Sequence, residues 1–397
     1  MNSVSDSIRP GSDGSLHNVS SQPGLRASGL SLFHGAEEAR DSLFAAPAVS
    51  FPSSGRAAIA AALERLGVGR GARVLVPAYH CPAVTGPISW LGAEPVLYRI
   101  TAGLDADCRD VEARIDERTR AVILIHYFGT PRRTQELAAL CKARGLSLIE
   151  DCAHTMTGES DAGPIGSAGD YAVASLTKFY PVFDGGLLAS YRNSVPPRFG
   201  RAPAPLYQLK AAYRPLERAA EAARGGRSWN SIGAWSTRLR SSLPRGVAIA
   251  SPSAADGGPS FDPAWAGLRA SLATRAIVKF TSIEQVRRAR RRNYEALVVA
   301  LARIAGIRVL EPTTPASSSP YALPILVERG TQVARRLRAQ RIPVFQWDGS
   351  PTGDCETAHC YARSLLQIPC HQDIDGDAVR RIVAALDSAL LRSDEQD

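Results

Sequence analysis

The sequence predicts an α/β protein, with a large domain built on a mainly parallel sheet flanked by helices and a smaller C-terminal α+β domain. Three observations predict it. Residues 54–190 alternate short apolar runs with helical patterns, as layered βαβ units do. A chain of 397 residues is long for one domain and short for three. A long helical pattern at 282–304 then separates a shorter region that has its own strand and helix signals.

The elements follow in order. Residues 55–66 place Ala, Ile and Leu on one helical face. Residues 73–77 (Arg-Val-Leu-Val-Pro) form a strand, 82–91 a helix, and 94–98 a short strand. Residues 121–125 form a buried strand and 134–144 a helix. The apolar run 146–149 is the next strand, and it ends abruptly in Glu150-Asp151-Cys152-Ala153-His154. Residues 171–174 and 187–191 are two more strands, bracketing Ser175-Leu-Thr-Lys178. From about 192 to 260 Pro, Arg, Ala and Ser dominate, which reads as an irregular helical insertion. Beyond the 282–304 helix, a strand at 321–327 and helices at 332–340 and 377–391 make the small domain. The expected boundaries are 1–45 for a disordered tail and arm, 46–280 for the large domain and 281–397 for the small one.

Composition narrows the function classes. Hydrophobic residues at 45% and charged residues at 21% are ordinary for a globular protein. No apolar run approaches the roughly 20 residues that span a bilayer, so no membrane insertion is expected. Residues 1–29 are rich in Ser and Gly with no apolar core, unlike a secretory signal. The expected location is therefore cytoplasmic. Seven scattered cysteines suit reduced thiols better than a disulfide frame. Cys355, His359, Cys360, Cys370 and His371 cluster in sequence, but their spacing is irregular and the segment between them reads as packed structure. No metal is expected there. The net charge of +9 raises nucleic-acid binding. Its strongest run, Arg287-Arg288-Ala-Arg290-Arg291-Arg292, instead continues as an amphipathic helix and reads as a solvated face. No nucleic-acid partner is expected.

One constellation carries chemistry. Ser53-Ser54-Gly55-Arg56 opens the first helix, where Ser54 can cap and the helix N-terminus can hold an anion. Asp151 sits at the carboxyl end of a strand, where open α/β sheets bind ligands. Neighbours at a strand end point to opposite sides, so Glu150 faces away. His154 lies three residues beyond Asp151. Lys178, flanked by Phe179, Tyr180 and Val182, is expected to be partly desolvated, which frees its amine to attack a carbonyl. Ser175 offers a hydroxyl to a phosphate, and Gly185-Gly186 suit a tight return beside a ligand. An acid for a ring nitrogen, a histidine for a phenolic oxygen, a lysine for an aldehyde carbon and an anion turn together describe a site for pyridoxal 5'-phosphate (PLP).

These motifs resemble the DegT/StrS-type aminotransferases, a PLP-dependent family of fold type I. The resemblance is carried by Ser54-Gly55-Arg56, Val76-Pro77-Ala-Tyr-His-Cys81, Leu91-Gly92-Ala93-Glu-Pro95-Val96, His126-Tyr-Phe-Gly129, Glu150-Asp-Cys-Ala-His154, Gly169-Asp170 and Ser175 through Gly186. Arg291-Arg-Asn-Tyr294 and Ile368-Pro369-Cys-His371 look like later landmarks. The resemblance implies that Lys178 is the catalytic lysine, that Asp151 pairs with the ring nitrogen and that His154 meets the phenolic oxygen. It implies that Gly55, Arg56 and Ser175 hold the phosphate, and that the residue stacking on the ring falls at or near Cys81, beside His80. It further implies a homodimer that moves an amino group from an amino acid such as glutamate to a nucleotide-linked keto sugar. PLP chemistry on a non-sugar metabolite, or a regulatory member of the family, are the alternatives. Two departures stand out. Lys178 follows Ser175 by three positions, where many relatives have a longer spacing. The family's Gly-x-Asn-x-Arg segment has its nearest counterpart in Trp229-Asn230-Ser-Ile-Gly233.

Overall fold

In the computed structural model, residues 19–24, 40–192, 198–223 and 261–394 are described. The large domain begins with β1 (Ala48–Ser50), α1 (Gly55–Arg65), β2 (Arg73–Pro77), α2 (Thr85–Trp90), β3 (Glu94–Tyr98) and α3 (Cys108–Ala113). It continues with β4 (Thr119–Ile125), α4 (Gln135–Ala143), β5 (Ser147–Asp151), a two-residue hairpin of β6 (Glu159–Ser160) and β7 (Gly163–Pro164), then β8 (Tyr171–Ser175) and β9 (Gly186–Ser190). Helices α5 (Pro205–Ala223) and α6 (Leu272–Phe280) follow.

Seven strands form one sheet in the order β1-β9-β8-β5-β4-β2-β3. The run from β3 through β8 is parallel, and β9 is antiparallel to both of its neighbours. Aliphatic runs such as Val74-Leu75-Val76 and Ala121-Val-Ile-Leu124 are buried throughout, as strands covered on both faces require. Helix α1 begins where the Ser54 hydroxyl oxygen accepts from the Ala57 N–H at 3.1 Å. Its Ala57, Ala58, Ile59, Ala62 and Leu63 face the core.

The C-terminal part opens with the long α7 (Ile283–Leu301). An antiparallel sheet of β10 (Ile307–Val309), β11 (Ala322–Val327) and β12 (Leu365–Pro369) follows, with α8 (Gly330–Ala339), α9 (Glu356–Ser364) and α10 (Gly376–Asp394). Tyr294, Leu297, Leu323, Ile325, Leu337, Ile368 and Leu386 share its core.

Several expectations change. β5 runs through Asp151 rather than stopping before it, because residues 147–151 pair with β4 and residues 149–151 also pair with β8. β1, β10, β12, α3 and α9 were not expected. β1 and β10 are three residues long, too short for a periodic signal, and α3 depends on a cap in which Asp107 accepts from the Arg109 and Asp110 N–H groups. The tail is not wholly unstructured. Val19 is buried in the C-terminal core, the Ser20 carbonyl accepts from His371 Nε2 at 2.8 Å, and the Gly24 N–H donates to Asp373. Its remaining residues up to 39, most of the 192–260 insertion and the Trp229–Gly233 candidate lie outside the described residues.

The two parts meet at one point of close backbone approach. The Tyr321 N–H donates to the Phe128 carbonyl at 2.9 Å, just past β4. Gly129 has φ +110°, and a Cβ there would lie 2.4 Å from Pro320 Cα. Only glycine fits both the dihedral and the gap. Gly129→Ala is expected to lower stability by more than about 2 kcal/mol through overpacking and backbone strain. Chemical denaturation of the full chain measures it.

Candidate active site

The carboxyl end of β8 and the segment that follows β5 border one cleft open to solvent, and the N-terminus of α1 packs beside it at Ser175. Cys81, His154, Ser175 and Lys178 line it from the large domain. Tyr321 and Trp347 line it from the C-terminal part. The sequence therefore placed four of its named residues on one wall.

Lys178 ends a 3-10 turn, Leu176–Lys178, that leaves β8 directly. The turn is closed by the Tyr180 and Phe179 N–H groups donating to the Leu176 carbonyl. Burial lowers the pKa of its ammonium, and the neighbouring Cys81 and Asp151 partly oppose that. Its Nζ lies 5.0 Å from the centroid of the Tyr321 ring.

Asp151 is 5% exposed and accepts from the Ala153 N–H at 2.9 Å. Burial raises its carboxyl pKa, while the Lys178 charge pulls it back. A buried carboxylate next to an amine is a pair in which each favours the other's charged form. Glu150 does face away. It is buried on the other side, held by His126 Nε2 at 2.9 Å and by the N–H groups of Gly166 and Gly169.

His154 is 3% exposed, and its pKa is lowered first by burial and then by the Lys178 charge, so its imidazole is neutral. Its Nδ1 accepts from the Phe128 N–H at 3.3 Å, which leaves the proton on Nε2. A neutral ring with Nε2–H is a hydrogen-bond donor to a ligand oxygen. The ring stacks on Tyr321, with centroids 4.4 Å apart and planes 21° apart.

The anion turn is built by close packing. A Cβ on Gly186 would sit 2.2 Å from the Ser54 carbonyl oxygen and 2.7 Å from the Gly55 nitrogen. The α1 N-terminus can thus press against β9 only through a glycine. A Cβ on Gly55 would meet the Ser175 Cβ at 3.5 Å, so the helix start adjoins the Ser175 hydroxyl, which lies 3.2 Å from that of Thr177. Behind the glycine pair, buried Asp184 accepts from the Ser271 N–H and hydroxyl at 2.9 and 2.8 Å, the Tyr207 hydroxyl at 3.1 Å and the Thr274 hydroxyl. These bonds tie the turn to α5 and α6.

Other named residues fall elsewhere. Arg56 does not line the cleft, so any part it takes in anion binding comes through its place in the first helical turn. His80 is fully buried with Nδ1 on the Pro77 carbonyl at 3.0 Å, turned away from the cleft that Cys81 faces. The cysteine and histidine cluster near the C-terminus is dispersed by the fold. Cys355 caps α9, His359 bonds to Thr352, and Cys370 lies on the Pro320 carbonyl. The arginine run is corrected. Arg288 and Arg292 are exposed, but Arg290 is 0% exposed and lines the cleft. The solvated-face reading missed it because helical periodicity places Arg290 with Ile283, Val286 and Tyr294 on the buried side. Tyr321 and Trp347 were also missed. Tyr321 lay at the start of an expected strand with no polar partner in sequence, and Trp347 lies in a loop.

The model of the DegT/DnrJ/EryC1/StrS aminotransferase family matches residues 37–194, and over that segment the chain is related to this family. The segment holds Gly55, Cys81, Asp151, His154, Ser175 and Lys178. GDP-perosamine synthase of Vibrio cholerae is 33% identical over 141 residues, 35% of this chain and 38% of that protein. UDP-N-acetyl-3-dehydro-alpha-D-glucosamine 3-aminotransferase of Acidithiobacillus ferrooxidans is 33% identical over 130 residues, 32% of this chain and 34% of its own length. The chain thus spans little more than a third of the curated relatives it matches. The PMP-form structure of the putative sugar aminotransferase Spr1654 from Streptococcus pneumoniae superposes with a TM-score of 0.64 at 16% identity, covering 95% of this chain and all of that one. That likeness extends the shared fold well beyond the matched segment.

The Asp151–Lys178 pair makes a signed prediction. Removing the carboxylate in Asp151→Asn takes away support for the ammonium, so the Lys178 pKa, already lowered by burial, moves further down. The pH midpoint for modification of Lys178 by an amine reagent, followed by peptide mapping, is expected below the ordinary lysine range in the parent protein. In Asp151→Asn it is expected lower still.

Proposed function

We propose that the protein is a PLP-dependent aminotransferase that moves an amino group from an amino acid such as glutamate to a keto sugar, with a nucleotide-linked sugar as the favoured acceptor. The observation that carries this reading is a partly buried lysine and a neutral, donor-ready histidine lining one cleft, with a buried carboxylate close enough to act on the lysine's charge. The group fits the residues present. A glycine-lined helix start adjoins Ser175 for a phosphate, and Asp151 gains a stabilising positive neighbour if a ring nitrogen beside it is protonated.

When bound, PLP supplies an electron sink for the carbon that bears the amino group. The residues supply the rest. Lys178 would hold the aldehyde carbon, and its lowered pKa favours a neutral amine. The same nitrogen could move a proton when free. Asp151 would keep a proton on the ring nitrogen, and His154 Nε2–H could donate to the phenolic oxygen. Gly55 and Arg56 would hold the phosphate through first-turn amides, with the Ser175 hydroxyl, and Cys81 would be the residue nearest the ring face.

The names of the two curated relatives support a nucleotide-linked acceptor, since both contain a nucleotide-linked sugar. A homodimer and a cytoplasmic location belong to the same reading. None of the helices among the described residues is long and apolar enough to cross a membrane.

Purified protein with added PLP is expected to show a visible absorbance band, and borohydride should fix the cofactor on the peptide that contains Lys178. Lys178→Ala should lose both and reduce amino transfer by more than about a thousandfold. A substitution that keeps the fixed adduct and the transfer overturns the assignment. Glutamate is expected to bleach the band, and a nucleotide-linked keto sugar to restore it.

A further inference from the structure

We propose that Arg290 is a positioning residue for Lys178, its guanidinium gripping the main-chain carbonyls of Lys178 and Tyr321 so that the two side chains keep a fixed register. The proposal rests on the reading of Lys178 as the cofactor amine.

The contacts are specific. Arg290 Nη2 donates to the Lys178 carbonyl at 2.5 Å. Nη1 donates to the Pro320 and Tyr321 carbonyls at 3.0 and 3.3 Å. Nε donates to Gln372 Oε1 at 3.1 Å, and Gln372 Nε2 in turn donates to the Phe179 carbonyl at 2.9 Å. The guanidinium also lies 4.5 Å from the centroid of the Phe179 ring. Two successive carbonyls of the lysine turn, those of Lys178 and Phe179, are therefore held from the C-terminal part of the chain.

Every hydrogen-bond partner just named is uncharged. A buried cation without a bonded carboxylate is costly, and an apolar side chain of like volume fills space at less cost. The same two parts of the chain are joined elsewhere by an ordinary pair, Arg132 Nη2 to Glu311 Oε1 at 2.5 Å. Mere docking has that cheaper solution. What a planar fork with five fixed donors offers is register, because one rigid plane cannot satisfy both carbonyls if either backbone slides. The side chains beyond those carbonyls face each other. The Lys178 ammonium lies over the Tyr321 ring, and that ring stacks on His154. One guanidinium thus indexes amine, aromatic ring and imidazole together. A lysine in its place is a point donor and cannot span both carbonyls.

The test uses the full chain loaded with PLP and two variants, Arg290→Lys and Gln372→Ala, with Asp354→Asn as a control for inter-part docking. Asp354 bridges exposed Arg99 and half-buried Arg114, and none of the three lines the cleft. Three quantities are read: the pH midpoint of the visible band, the half-life of cofactor on dialysis, and the thermal midpoint without cofactor. Arg290→Lys is expected to move the spectral midpoint by about one pH unit and to speed cofactor loss about tenfold. Its thermal midpoint should stay within about 5 °C of the parent's. Gln372→Ala should move the spectrum in the same direction by less, and Asp354→Asn should leave it unchanged. A parent-like band and cofactor half-life in Arg290→Lys, with only the thermal midpoint lowered, overturn the proposal. If Arg290→Lys does not fold, an unchanged spectrum in Gln372→Ala overturns it. A parent protein that forms no band overturns the reading of Lys178 and this proposal with it.

Discussion

The structure depends on holding one partly buried amine close to a buried carboxylate and a neutral imidazole. Burial pushes the Lys178 pKa down and the Asp151 pKa up, and each group's charge opposes the shift that burial imposes on the other. The parallel sheet makes this possible. Adjacent β5 and β8 run parallel with Asp151 level with Val173, so the lysine turn that leaves β8 two residues later starts close to the acid without a long loop.

Close backbone packing supplies the precision. Gly186 lets α1 approach β9, which brings a helix N-terminus to the Ser175 side of the cleft. Gly129 lets residues 320–321 lie on the end of β4, which carries Tyr321 over His154. Neither glycine does chemistry. Each removes a methyl group that would push a functional wall outward by a bond length or more. Asp184 works at the next remove, since its four donors come from α5 and α6 and fix the turn that presents the glycine pair.

The cleft also joins two parts of the chain that differ in sequence character. The large-domain wall bears Cys81, His154 and Lys178, and the C-terminal wall combines the aromatic rings of Tyr321, Phe345 and Trp347 with Arg290 and His371. Residues 21–23 of the N-terminal region also line the cleft, with the flanking Ser20 and Gly24 held by His371 and Asp373.

The sequence by itself determined the layered α/β class, the helix cap at Ser54 and the side to which Asp151 points. It also placed Lys178 beside that acid. Those features are local, set by apolar runs, capping chemistry and the two-residue period of a strand, and such signals survive in one dimension. It did not determine the parts that rest on distant contacts. Arg290 reads as one more cation on a charged helix until α7 is packed and its buried side is known. Tyr321 and Trp347 acquire a role only when β11 and the loop before α9 are folded against the large domain. Residues 19–24 read as tail until Val19 finds the C-terminal core. Burial and long-range register are properties of the assembled chain, and tertiary structure alone decided which side chains of the second half would stand opposite the lysine that the first half provides.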